Sequence, residues 1–156
     1  MSHENNPVEV PHEGSYISGL IGALLGALVG AVVWALVMQL GFIAGIVGFV
    51  IGFLAEKGYN LLKGKQGSGK VFVLAIAVIC GVLAGTFFGH YMIWCKEIAE
   101  YAPVVYSEIP SMIFDELHMN NEYLGETIKD VILGLIFAFS GVIGLLKSVK
   151  KGTENQ

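Results

Sequence analysis

The stretch GSYISGLIGALLGALVGAVVWALVMQLGFIAGIVGFVIGFLA, Gly14 to Ala55, runs for 42 residues without one Asp, Glu, Lys or Arg. At about 1.5 Å of rise per residue, one helix of that length would be roughly twice as long as the ~30 Å hydrocarbon core of a bilayer. The stretch must therefore fold back on itself. The reversal is expected at Met38-Gln39-Leu40-Gly41, where the only amide side chain of the run precedes a glycine. This reading gives a first helix over 16–38 and a second over 41–62, joined so tightly that they must be antiparallel neighbours.

Outward from this stretch, the same logic gives two more spans. Lys70 and Lys96 bracket a charge-free run from Val71 to Cys95, long enough to cross with some tilt. The last run, Val131 to Leu146, is adequate as a span over 124–147 only if its helix starts earlier, with Lys129 and Asp130 at the interface. The expected fold is an all-α polytopic membrane protein with four transmembrane helices filling 16–149. Residues 1–15 form a disordered cytoplasmic tail and 150–156 a second tail. Composition agrees: of 156 residues, 54% are hydrophobic and 14% charged, against about 25% charged in a soluble domain.

Composition also narrows function. All nine basic residues are lysine, so no bidentate guanidinium is available for phosphate or carboxylate. Nucleic acid and nucleotide are thereby disfavoured as partners. The N-terminus lacks the basic region of a signal peptide, and Ser2 stands where myristoylation needs glycine. Cys80 and Cys95 share one predicted helix, too far apart to bridge and without metal-ligand spacing, and read as packing residues.

Lysines alternate between sides. Ala55–Lys70 carries Lys57, Lys63, Lys65 and Lys70 against Glu56, and the C-terminal tail carries Lys147, Lys150 and Lys151 against Glu154. The link between Lys96 and Asp130 is acidic. The positive-inside rule puts the lysine-rich link and both termini in the cytoplasm of a plasma membrane. An aromatic belt of Tyr16 and Tyr59 inside and of Trp34, Tyr91 and Trp94 outside fits that orientation.

Small residues at helical spacing supply the packing. Gly22, Gly26 and Gly30 recur on the first helix, Gly48 and Gly52 follow Ala44 on the second, and Gly81, Gly85 and Gly89 follow Ala77 on the third. The fourth carries Gly134, Ala138 and Gly141. Lipid tails are as apolar as leucine, so helices associate where small residues let backbones approach. The first helix, with two such strips, is expected to be the most buried. In the outer link, Ile109, Ile113 and Leu117 recur at i, i+4, i+8. An amphipathic helix over 109–119 follows, lying on the membrane or capping the bundle, with Pro110 near its start.

Candidate chemistry is sparse. Gly64-Lys65-Gln66-Gly67-Ser68-Gly69-Lys70-Val71 fits GxxxxGK but lacks the Ser or Thr that would hold magnesium, and no strand precedes it. It reads as a flexible turn that fixes topology. His90 lies one turn before Trp94 and can reach Asp130 near the outer boundary, although an interfacial histidine is ordinary there. Glu56 is expected to snorkel beside Lys57. Asp115 and Glu116 are adjacent on a helix and point in different directions. His3, His12, His90 and His118 form no ligand array, so neither catalytic residue, metal nor cofactor is expected.

The run from Gly19 to Gly67, followed by a third span and then by EIPSMIFDE and YLGETIKDVILGLIFAF, resembles a four-helix integral membrane module of Gram-positive bacteria. Its most specific pieces are the glycine-alanine ladder ending at Trp34 and the Lys57-Gly58-Tyr59 exit of the second helix. The resemblance covers Tyr16 to Lys147; it implies the architecture and carries no reaction, ligand or site residue across. The sequence therefore points to a non-catalytic scaffold or accessory subunit whose partners are lipid, a second copy or another membrane protein. The alternative is a small-solute or ion transporter or channel. Glu56, His90 and Asp130 would then be its weak functional candidates.

Overall fold

The computed structural model describes residues 14–40, 45–99 and 106–153, with backbone alone for 45–46, 99 and 145–153. The N-terminal tail with His3 and His12, residues 41–44 with Gly41 of the expected reversal and with Ala44, Pro103, and Glu154 lie outside the described residues. All described regular structure is helical: α1 (Tyr16–Met38), α2 (Gly45–Leu61), α3 (Gly69–Ala99), α4 (Ile109–Met119) and α5 (Asn121–Thr153). Ser15 caps α1, its side chain accepting from the Ile17 N–H at 3.2 Å. Three of these helices, over 16–38, 69–98 and 121–144, are long and apolar enough to cross a membrane. The described α2 is shorter, with 17 residues. The last helix is longer than expected at both ends and runs on to Thr153.

On α1, Trp34 apart, large and small side chains are sorted in the sense opposite to that of a water-soluble core. On α1 the buried face is Gly19, Gly22, Ala23, Ala27, Gly30, Ala31 and Trp34. The face turned outward carries Ile17, Ile21, Leu25, Leu28, Val32 and Leu36. Water would drive the branched aliphatics inward, whereas a lipid solvent is indifferent to them and leaves backbone approach to decide.

The glycine contacts fix the bundle. A methyl group at Gly22 would overlap the Gly58 carbonyl, and one at Gly26 the Leu54 carbonyl. At Gly30 it would lie 2.8 Å from the Ile51 Cα, so α1 and α2 run antiparallel. On α2's other side, Gly48 faces the Gly134 backbone and Gly52 the Ala138 carbonyl, so α2 and α5 run parallel. Gly81, Gly85 and Gly89 of α3 meet Ala27, Trp34 and Met38 of α1 in parallel order. α1 touches α2 and α3; α2 serves α1 with its Gly58 side and α5 with its Gly48–Gly52 side, and α3 reaches α1, α2, α4 and α5.

These directions place the start of α1, the α2–α3 link and the C-terminal part of α5 at one end of the bundle. The other end is capped by α4, whose Ile109 and Ile113 are buried and whose Phe114 ring lies 6.0 Å from that of Phe87 on α3. At this end α4 contacts both α3 and α5.

Two belt assignments are corrected. Trp34 and Tyr59 are both fully buried. Methyl groups at Gly85 or Gly134 would run into the Trp34 side chain, and at Gly19 or Gly64 into the Tyr59 ring. Glycine thus makes sockets for the two rings as well as contacts between backbones.

Candidate functional site

The most polar part of the interior is at the link end. Glu56, in the second half of α2, is 3% exposed, and Lys70, in the first turn of α3, is 6% exposed. The Lys70 Nζ donates to Glu56 Oε1 at 3.1 Å, to Asn60 Oδ1 at 3.0 Å and to Gln66 Oε1 at 3.3 Å. An ammonium has three donors, and here each has an acceptor. Asn60 Nδ2 donates to the same Glu56 oxygen at 2.6 Å, and the Lys70 ammonium lies 5.4 Å from the centre of the Tyr59 ring. Glu56 therefore pairs with Lys70, and the expected pairing with Lys57 is not made. Neighbouring helical residues diverge, so Lys57 leaves the bundle while Glu56 enters it.

Local structure explains how Lys70 is brought back to Glu56. The end of α2 closes with the Gly64 N–H on the Tyr59 carbonyl at 2.9 Å and the Lys63 N–H on the Asn60 carbonyl at 3.0 Å. This is a Schellman closure, with Lys63 at φ 52° in the place where glycine is usual. The Tyr59 hydroxyl then donates to the Lys65 carbonyl at 2.6 Å, and the Lys65 N–H reaches the Ser15 carbonyl at 3.3 Å. The link is thus a folded cap over the α1 N-terminus, in place of the flexible turn expected from its glycines. Its GxxxxGK pattern has spent its lysine on internal acceptors, so Lys70 keeps no donor for a phosphate.

A second polar group of side chains stands near the α4 end. His90 is half-buried, with Nε2 3.4 Å from Thr127 Oγ1 and its ring 5.1 Å from the Tyr123 ring. Tyr123 in turn lies 6.5 Å from Trp94, ring to ring. Asp130 is half-buried on α5, three residues beyond Thr127. Among the described residues the one salt bridge is Glu56–Lys70; His90 meets α5 through Thr127, and Asp130 acts on it by charge without forming a salt bridge. Thr86, one turn before His90, is 3% exposed, and its hydroxyl has no hydrogen-bond partner.

The remaining candidates are dispersed. Asp115 is exposed, while Glu116 accepts from Asn120 Nδ2 at 2.7 Å. Cys80 and Cys95 are both free thiols. No group of His, Cys, Asp and Glu among the described residues could hold a metal ion. What the sequence reading missed is Lys70, whose i+4 spacing from Gln66 mirrors that of Asn60 from Glu56. That pairing of polar doublets across the link was the available signal.

Fold and site together define an all-α protein, three of whose described helices are long and apolar enough to cross a membrane. No family model, curated protein or solved structure matches the chain.

Proposed function

We propose that the chain is a multi-pass plasma-membrane protein acting as a non-catalytic scaffold or accessory subunit. In this reading four helices cross, α1, α2, α3 and α5, with the lysine-rich link and both chain ends in the cytoplasm. The alternation of helix directions supports the crossing of α2, because it follows α1 from the level of Gly30 to that of Gly19 and shares α5's direction. One observation carries the functional reading: the buried charges, Glu56 and Lys70, neutralise each other within the fold, and all three Lys70 donors are taken. A transport or catalytic site keeps polar groups available to a ligand; this pair does not.

Transport of a proton or cation is the second reading, favoured by the unpartnered Thr86 hydroxyl beside His90. Liposomes containing the pure protein separate the two. The scaffold reading expects proton and cation flux equal to that of protein-free vesicles, and reproducible selective flux overturns it. Reporters test the topology: cytoplasmic after Gly67 and external near Asn120, with an external signal at Gly67 refuting the four crossings.

A further inference from the structure

Beside the Gly22–Gly58 contact, on the outer surface of α1 and α2, lies a groove of about 420 Å³. Its floor is Gly22, Gly26 and Gly58, its walls include Leu25 and Leu61, and Lys57 is the only charged group lining it among the described residues. Missing side chains open the groove: the two helices approach so closely at their glycines that the flanking leucines stand above a trough. In a bilayer such a trough is filled by an acyl chain. From Gly22 to Val29 it runs about 10 Å along the axis of α1.

The charge on Lys57 selects among occupants. Its ammonium lies 5.6 Å from the centre of the Phe53 ring, one turn back along α2 and away from the link. In the four-crossing arrangement that direction is toward the acyl region, where an unpaired cation is costly. Glu56, the acid next to it, is taken by Lys70. The exposed carboxylates among the described residues, Glu97, Glu108, Asp115, Glu122 and Glu126, all stand toward the α4 end. A second copy lying parallel in the membrane therefore brings none of them to Lys57.

We propose that the α1–α2 groove binds one anionic phospholipid of the leaflet facing the lysine-rich link, its acyl chain in the trough and its phosphate on Lys57. The inference rests on the reading that α2 crosses the bilayer. Site-directed labelling along α2 tests that crossing without reference to headgroups, so the two claims fail separately.

The experiment titrates the purified full chain with phosphatidylglycerol and with phosphatidylcholine of the same acyl chains, counting bound lipid by native mass spectrometry. The parent is expected to prefer phosphatidylglycerol about fivefold, the gain of one lysine near an anionic headgroup. Lys57→Gln should remove the preference and Lys57→Arg should keep it. Lys65→Gln, at an exposed lysine outside the groove, should leave it unchanged. Leu25→Trp, at a side chain 57% exposed, should cover the trough and weaken both lipids without disturbing the core. Equal binding of the two lipids by the parent overturns the proposal. So does a loss shared equally by Lys65→Gln, which would mark diffuse attraction, or a dimer cross-linked through Leu61, which would give the groove to a second copy.

Discussion

Removing one partner of the Glu56–Lys70 pair should be among the most damaging conservative changes this chain can suffer. At 3.1 Å and an effective dielectric of about 20, the attraction between the charges is about 5 kcal/mol. Desolvation of two ions costs several kcal/mol each, so the pair as a whole adds little net stability. The asymmetry appears when it is broken. Glu56→Gln leaves the Lys70 ammonium at 6% exposure with neutral acceptors alone, in the first turn of α3, where the helix dipole also opposes a cation. The expected cost is about 3–5 kcal/mol. Lys70→Met strands the carboxylate in the same way, although Asn60 still donates to it. The double variant Glu56→Gln, Lys70→Met removes both charges and should recover most of either loss. Reversible unfolding in mixed micelles, read by helical circular dichroism across the four members of the cycle, measures the coupling. A cost below about 1 kcal/mol for Glu56→Gln, additive with that of Lys70→Met, would refute the reasoning. It would mean that water reaches the pair and that the link is open.

Two further outcomes are expected from the backbone. Gly26→Leu drives a side chain into the Leu54 carbonyl and should cost at least the ~1–3 kcal/mol of overpacking, whereas Leu28→Ala, at a side chain 48% exposed, should change stability by less than ~0.5 kcal/mol; equal melting of the two variants in micelles would show that α1 and α2 do not meet there. Lys63→Gly relieves a left-handed residue at φ 52° and should raise stability by about 0.5–1 kcal/mol, and a loss in the same unfolding assay would show that the Schellman closure is not formed.

The helices were legible in the sequence because charge-free runs mark them, and α1 is found at the bounds expected for it. What the sequence hid was the inward or outward sense of large side chains. Hydrophobic periodicity sorts residues by their contrast with water, and lipid offers no such contrast. Trp34 illustrates the difficulty: near the end of a span it reads as a belt residue, yet Gly85 and Gly134, 51 and 100 residues away in sequence, make the space that buries it. Tyr59 is buried in the same manner by Gly19 and Gly64. The strips of small residues were visible, but not which of those glycines face backbone and which face a ring.

The burial of Lys70 also changes the argument about orientation. The positive-inside rule counts lysines that stay charged and available at the membrane surface. Lys70 is neutralised by Glu56, so in the proposed four-crossing arrangement the bias of the α2–α3 link rests on Lys57, Lys63 and Lys65, all exposed. Removing the Glu56 carboxylate would return a fourth positive charge to that link while loosening the fold around it. Stability and topological bias should therefore move in opposite directions at this one residue. A pair that looks redundant as a topology signal is better understood as the pin that returns α3 to α2 after the link.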